Sequence, residues 1–135
     1  MTNRTRIAFR GLIVAFSLGI CALAFADDAF KAPALSGPVV DEVGVLTREQ
    51  SDQLETDLRA LSDSGKGQIA VLVASSLQGL AIEDFGIRLA EAWKLGMKKG
   101  EARDRGAIFI IAPNEKKMRI EVGYGLEGDL PDAVA

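Results

Sequence analysis

The chain has 135 residues, a formal charge of −3, no histidine and one cysteine, Cys21. Without histidine, Ser-His-Asp and Cys-His catalysis are excluded, and without a second cysteine there is no intrachain disulfide. Cys21 falls in an expected signal peptide, so a metal bound by the mature chain must be held by oxygen, which selects calcium or magnesium over zinc or copper.

Residues 1–26 have the pattern of a secretory signal peptide. Arg4, Arg6 and Arg10 form a positive start, and an apolar run follows from Gly11 to Phe25. That run is shorter than the roughly 20 residues of a membrane-spanning helix. Ala24-Phe25-Ala26 is an A-x-A cleavage site, followed by Asp27-Asp28. Ile20 stands where a lipid-modification box before Cys21 needs a small residue. The expected location is therefore periplasmic or extracytoplasmic. Cleavage after Ala26 removes three of the 16 basic residues and none of the 19 acidic ones, which takes the charge from −3 to −6. An acidic domain is a poor partner for nucleic acid.

Residues 27–38, with Pro33, Ser36, Gly37 and Pro38, read as an extended linker. Val39 to Leu46 leads into a first helix. Thr47-Arg48-Glu49-Gln50 is a capping box at its start, and Leu54, Leu58 and Leu61 form its apolar stripe. Ser64-Gly65-Lys66-Gly67 ends it. Gln68 to Ser75 is a strand apolar on both faces, the mark of a sheet covered on both sides. Ile82 to Leu95 is a second helix with Ile82, Phe85, Leu89, Ala92 and Trp93 on its buried side and Gly96 as its cap.

Gly106 to Ala112 is another buried strand, and Pro113 to Lys116 a hairpin turn. In the strand that follows, Met118, Ile120 and Val122 are expected to face the core, and Arg119 and Glu121 to face water. The strand–helix–strand unit calls for parallel strands, and the hairpin adds an antiparallel one. The fold class is α/β: a small mixed sheet with helices against it, expected over residues 39–135.

After the last strand comes Gly123-Tyr-Gly-Leu-Glu-Gly-Asp-Leu-Pro-Asp132, rich in glycine and carboxylates. Antiparallel pairing should return this loop to Arg103-Asp104-Arg105-Gly106, at the start of the preceding strand. Asp104, Glu127 and Asp132, with Asp129 nearby, are then expected at one end of the sheet, where carboxylates and glycine carbonyls suit a hard cation. Plainer roles exist for most of them. Asp132 suits a helix N-cap, Asp129 a turn, and Asp104 a surface ion pair with Arg103 or Arg105. Glu127, between Leu126 and Gly128, has the least structural reason to be there. Ser75-Ser76 ends a parallel strand, where α/β ligand sites often occur, but has no base nearby in sequence.

These motifs resemble the TPM domain family, which includes a thylakoid lumen acid phosphatase and photosystem II repair factors. The resemblance runs from about Val39 to Ala135. It rests on Val40-Asp41 with Gly44-Val45-Leu46, on Trp93-Lys94-Leu95-Gly96, on Asp104-Arg105-Gly106, and above all on Glu121-Val-Gly-Tyr-Gly-Leu-Glu127-Gly with Leu130-Pro-Asp132-Ala. It implies a Rossmann-like three-layer α/β/α sandwich and a Ca²⁺ cavity in some members, to which Asp41 would contribute. Topology alone puts Asp41 at the far end from Asp104. Where the family often has Asn, this chain has Arg105, a cation that repels a metal or attracts a phosphate. Family chains usually continue through a further helix, and many add a membrane segment, so membrane association would come only from residues not in this chain.

Three functions follow as expectations. The first is a Ca²⁺-binding (alternatively Mg²⁺-binding) accessory domain that helps maintain envelope or membrane proteins. The second is a metal-dependent phosphomonoesterase, with Arg105 and Tyr124 as candidate substrate-binding residues. The third is a metal-free interaction module that uses a groove or the edge strand Met118–Val122.

Overall fold

In a computed structural model, residues 29–95 and 105–128 are described. The expected signal peptide, Asp104, Asp129 and Asp132 lie outside them, as do Gly96 and the helix expected to start at Asp132. The elements are β1 (Val39–Asp41), α1 (Arg48–Asp63), β2 (Gln68–Val73), α2 (Ile82–Trp93), β3 (Gly106–Ala112) and β4 (Lys117–Val122). They build one four-stranded sheet in the order β1-β2-β3-β4. The first two pairings are parallel and the β3–β4 hairpin is antiparallel. The α/β sandwich read from the sequence is the fold observed.

Local chemistry starts and stops the helices. At the start of α1, the Thr47 hydroxyl accepts from the Gln50 amide at 3.2 Å, and the Gln50 side chain accepts from the Thr47 amide at 2.9 Å. These bonds satisfy two amides that the helix leaves orphaned. Gly65, at φ +74, takes the chain out of the helix end. α2 stops earlier than its apolar pattern suggests. Lys94 turns left-handed at φ 48 and its amide caps Ala90 O.

The main core lies between the sheet and α2. Ala70, Leu72, Ile108 and Ile110 rise from the strands to meet Phe85, Leu89 and Trp93, most of them fully out of water. Each large side chain there contributes about 1.5–3 kcal/mol of burial. Ala92, expected on this side, is exposed, and Gly86 is buried in its stead. Alternation puts Val39, Val71 and Val73 on the other face, where α1 packs across β1 and β2. Leu54, Leu58 and Leu61 of α1 are only half-buried.

Two expectations change. Residues 39–41 form a strand of the sheet rather than a lead-in to α1: Val39, Val40 and Asp41 pair with Val71, Leu72 and Val73. The faces of β4 are also reversed. Arg119 and Glu121 lie opposite Ile110 and Ile108, on the α2 side, while Met118 on the other face is 73% exposed. The reversal is tolerated because Arg119 and Glu121 form an ion pair that neutralises both, and because Gly86 leaves room above Glu121.

The stretch before β1 is extended and fastened to the core. Phe30 meets Phe85 edge to face at 5.4 Å between ring centres. The Trp93 indole donates to Pro33 O at 2.8 Å. The Gln78 side chain accepts from the Lys31 amide at 3.0 Å and donates to Lys31 O at 2.8 Å.

Candidate functional site

The loop after β4 folds back to the start of β3, as the antiparallel pairing requires. The Gly123 amide donates to Gly106 O at 2.8 Å, and the Leu126 amide closes a turn on Gly123 O at 2.9 Å. Leu126 is buried, and its methyls approach the bare face of Gly67, where a Cβ would lie 3.4 Å from them. Arg105 ties the same region together. Its Nε and Nη2 donate to Lys66 O at 3.0 and 2.8 Å, and its Nη1 donates to Gly125 O at 3.2 Å. The guanidinium thus spans from the β2 start to the loop, a use of its planar fork that Lys does not match.

These anchors present Glu127 and Tyr124 to solvent. Glu127 is exposed immediately after the buried Leu126, and Tyr124 is 85% exposed. Both line a cavity of about 390 Å³ between the C-terminal half of α2 and the ends of β3 and β4. Glu91 and Glu121 also line it, over a floor that includes Ala107 and Ile108. The cavity carries three carboxylates, one of which, Glu121, is paired with Arg119. Among the described residues, no three acidic side chains are close enough together to hold a metal ion.

Asp41 does not join this loop. It pairs with Val73, which pairs with Ile111, whereas Arg105 precedes Gly106 at the opposite end of β3. Five residue steps of strand, roughly 17 Å, separate the two levels. The Asp41 carboxylate instead accepts from the amides of Val43 (3.1 Å), Gly44 (2.8 Å) and Leu46 (2.8 Å). Burial pushes its pKa up, but the amides of Leu46, Gly44, Val43 and Val45 outweigh that and hold it below the usual carboxylate value.

The end of the sheet near Asp41 holds a polar cluster that sequence reasoning touched only at Ser75-Ser76. Glu42 Oε2 accepts from the amide and hydroxyl of Ser75 at 3.0 and 3.1 Å. The Asn114 amide group donates to Ser75 O at 2.9 Å, and Glu115 Oε1 accepts from the Leu77 amide at 3.0 Å. The signal was present, since Asn114 and Glu115 sit in the hairpin turn, but only the parallel pairing of β2 with β3 brings that turn to Ser75.

Comparison with known proteins places this geometry. The TPM domain profile matches residues 39–135. Among solved structures, the N-terminal domain of a P. gingivalis protein is similar at 34% identity and a TM-score of 0.62, and the alignment covers 72% of this chain and 60% of that one. The N-terminal domain of a Corynebacterium glutamicum protein is similar at 20% identity and a TM-score of 0.55 with the same coverages, a likeness of fold alone. The chain therefore spans about 60% of the length of these two solved chains. No curated protein matches. With a family match over most of its length, the chain belongs to the TPM domain family.

Proposed function

We propose that this TPM domain is exported and binds a hard divalent cation, Ca²⁺ in preference to Mg²⁺, at the loop after β4, as an accessory factor for envelope or membrane proteins. The observation that carries the reading is the fastening of that loop to the start of β3 by Arg105, Gly123 and Leu126. It holds the exposed Glu127 close to the residue that follows Asp104. Glu127 with Asp104 and Asp132 is the proposed ligand set, with water completing the shell, since the Gly123 and Gly125 carbonyls already accept from Leu126 and Arg105. The described residues supply only Glu127 of these three, and an oxygen-only donor set is what a chain without histidine offers. Asp41 is left out, because its oxygens are committed to the β1–α1 loop at the other end of the sheet.

Export is supported by Arg4, Arg6 and Arg10, the apolar run and Ala24-Phe25-Ala26. Among the described residues, no helix is long and apolar enough to cross a membrane. The test is titration of Ca²⁺ and Mg²⁺ into the metal-stripped protein, followed by amide NMR. Shifts centred on residues 104–106 and 123–132 support the site. Absence of shifts at millimolar metal, or shifts confined to the Asp41 end, would sink it.

A further inference from the structure

β4 ends the sheet, and among the described residues no strand pairs with its outer side. Which groups face outward follows from one bond. The Gly123 amide donates to Gly106 O, and antiparallel partners alternate between bonded and unbonded pairs. Gly123, Glu121, Arg119 and Lys117 therefore direct their backbone groups inward to β3, in register with Gly106, Ile108, Ile110 and Ala112. Met118, Ile120 and Val122 direct their N–H and C=O groups outward. Exposed apolar side chains gather along this edge. Met118 is 73% exposed, Tyr124 follows the strand at 85%, and Ile87 of α2, which shares a cavity wall with Glu121 and Val122, is 51% exposed. An open edge of six residues flanked by apolar surface is a template for another strand.

The sequence of the edge selects its partner. We propose that β4 is a self-recognition edge, through which two copies of this chain pair antiparallel about a two-fold axis at Ile120. In that register Ile120 meets its own copy, Met118 meets Val122, and Arg119 meets Glu121 on both sides of the axis. Each outward N–H and C=O of the three outer residues gains a partner. Opposite charges face each other across the joint, and all the apolar side chains fall on one face. The neighbouring register, centred on Arg119, sets two arginines directly opposite each other and is disfavoured. Because residues directly opposite each other share a face, the two α2 helices lie on the same side and the two sheets fuse into one. A self-complementary patch of this kind is what a two-fold interface requires. The inference is independent of the proposed cation site.

The experiment is sedimentation of the full chain, as the expressing cell processes it, from roughly 1 µM to 1 mM, with hydrogen exchange at each concentration. A monomer–dimer equilibrium is expected. The amides of Met118, Ile120 and Val122 should slow as concentration rises, while those of Lys117, Arg119 and Glu121 stay protected throughout. Ile120→Pro removes an outward amide that donates to no strand among the described residues, so the fold should persist, with dimer affinity weakened at least about tenfold. The proposal is overturned by a monomer at every concentration, by a dimer whose three outer amides exchange as fast as in the monomer, or by a folded Ile120→Pro chain that dimerises like the parent. If that variant does not fold, the exchange pattern of the parent chain decides.

Discussion

Gly86 of α2 sits directly over Glu121 of β4: a Cβ at position 86 would lie 2.8 Å from the Glu121 Cγ and 2.9 Å from its Cδ. The helix can lie this close to the strand only because position 86 has no side chain. A charged pair on the core-facing side of β4 is compatible with α2 for the same reason. Gly86→Ala should therefore destabilise the fold by about 1–3 kcal/mol through overpacking, against the gain a helix normally takes from replacing Gly by Ala. Urea denaturation of the two proteins checks it, and equal midpoints would show that Glu121 swings aside freely.

Arg105→Ala removes three hydrogen bonds that tie Lys66 and Gly125 together. The expected loss is about 1–3 kcal/mol in global stability. Amide exchange at Leu126, whose amide closes the loop turn, should also speed up. Arg105→Lys should recover little of either, since an ammonium cannot span both carbonyls. Full rescue by Lys would mean that charge rather than geometry is what the position supplies.

Glu127→Gln tests the cation site without disturbing the fold. The side chain is exposed, so the melting temperature in chelator should stay within about 0.5 kcal/mol of the parent in free-energy terms. The Ca²⁺ affinity read from amide shifts should fall about tenfold or more, because a neutral amide replaces a charged ligand. Unchanged affinity would remove Glu127 from the ligand set.

Asp41 predicts a pH dependence. Its folded pKa is depressed, so the ionised carboxylate stabilises the native state at every pH above the unfolded value of about 4. That contribution is lost as pH falls through the lower folded value. Asp41→Asn should cost about 1 kcal/mol at neutral pH. The gap to the parent should narrow as pH falls below roughly 4. Denaturation measured across that range checks it, and a gap that widens in acid would contradict the assignment.

Trp93→Phe keeps the ring in the core but deletes the indole bond to Pro33 O. A loss of about 0.5–1.5 kcal/mol is expected, with faster proteolysis of the stretch between Phe30 and Leu35 as the local readout.

What the sequence revealed followed the range of the interactions involved. The α1 capping box was legible because both its bonds span three residues. The returning loop was legible because hairpin geometry allows one outcome once β3 and β4 are recognised. β1 was missed because three residues carry no periodicity, and only pairing with Val71 to Val73 makes them a strand. The faces of β4 were misjudged because alternation gives the period but not the phase. The phase was set by the register with Ile108 and Ile110, and by a glycine thirty-five positions away. Asp41 was pulled toward the acidic loop by resemblance, although parallel strands put it at the other end.

The fastening of residues 30–33 bears on how the processed chain would begin. On the proposed processing after Ala26, only residues 27–29 separate the cut from Phe30, whose ring is wedged against Phe85. Three residues reach about 10 Å at most, so on that processing the edge-to-face contact would lie within three residues of the new N-terminus. Residues 30–33 would then act as an N-terminal clasp, holding the first residues of the processed chain against α2 through Phe85 and Trp93.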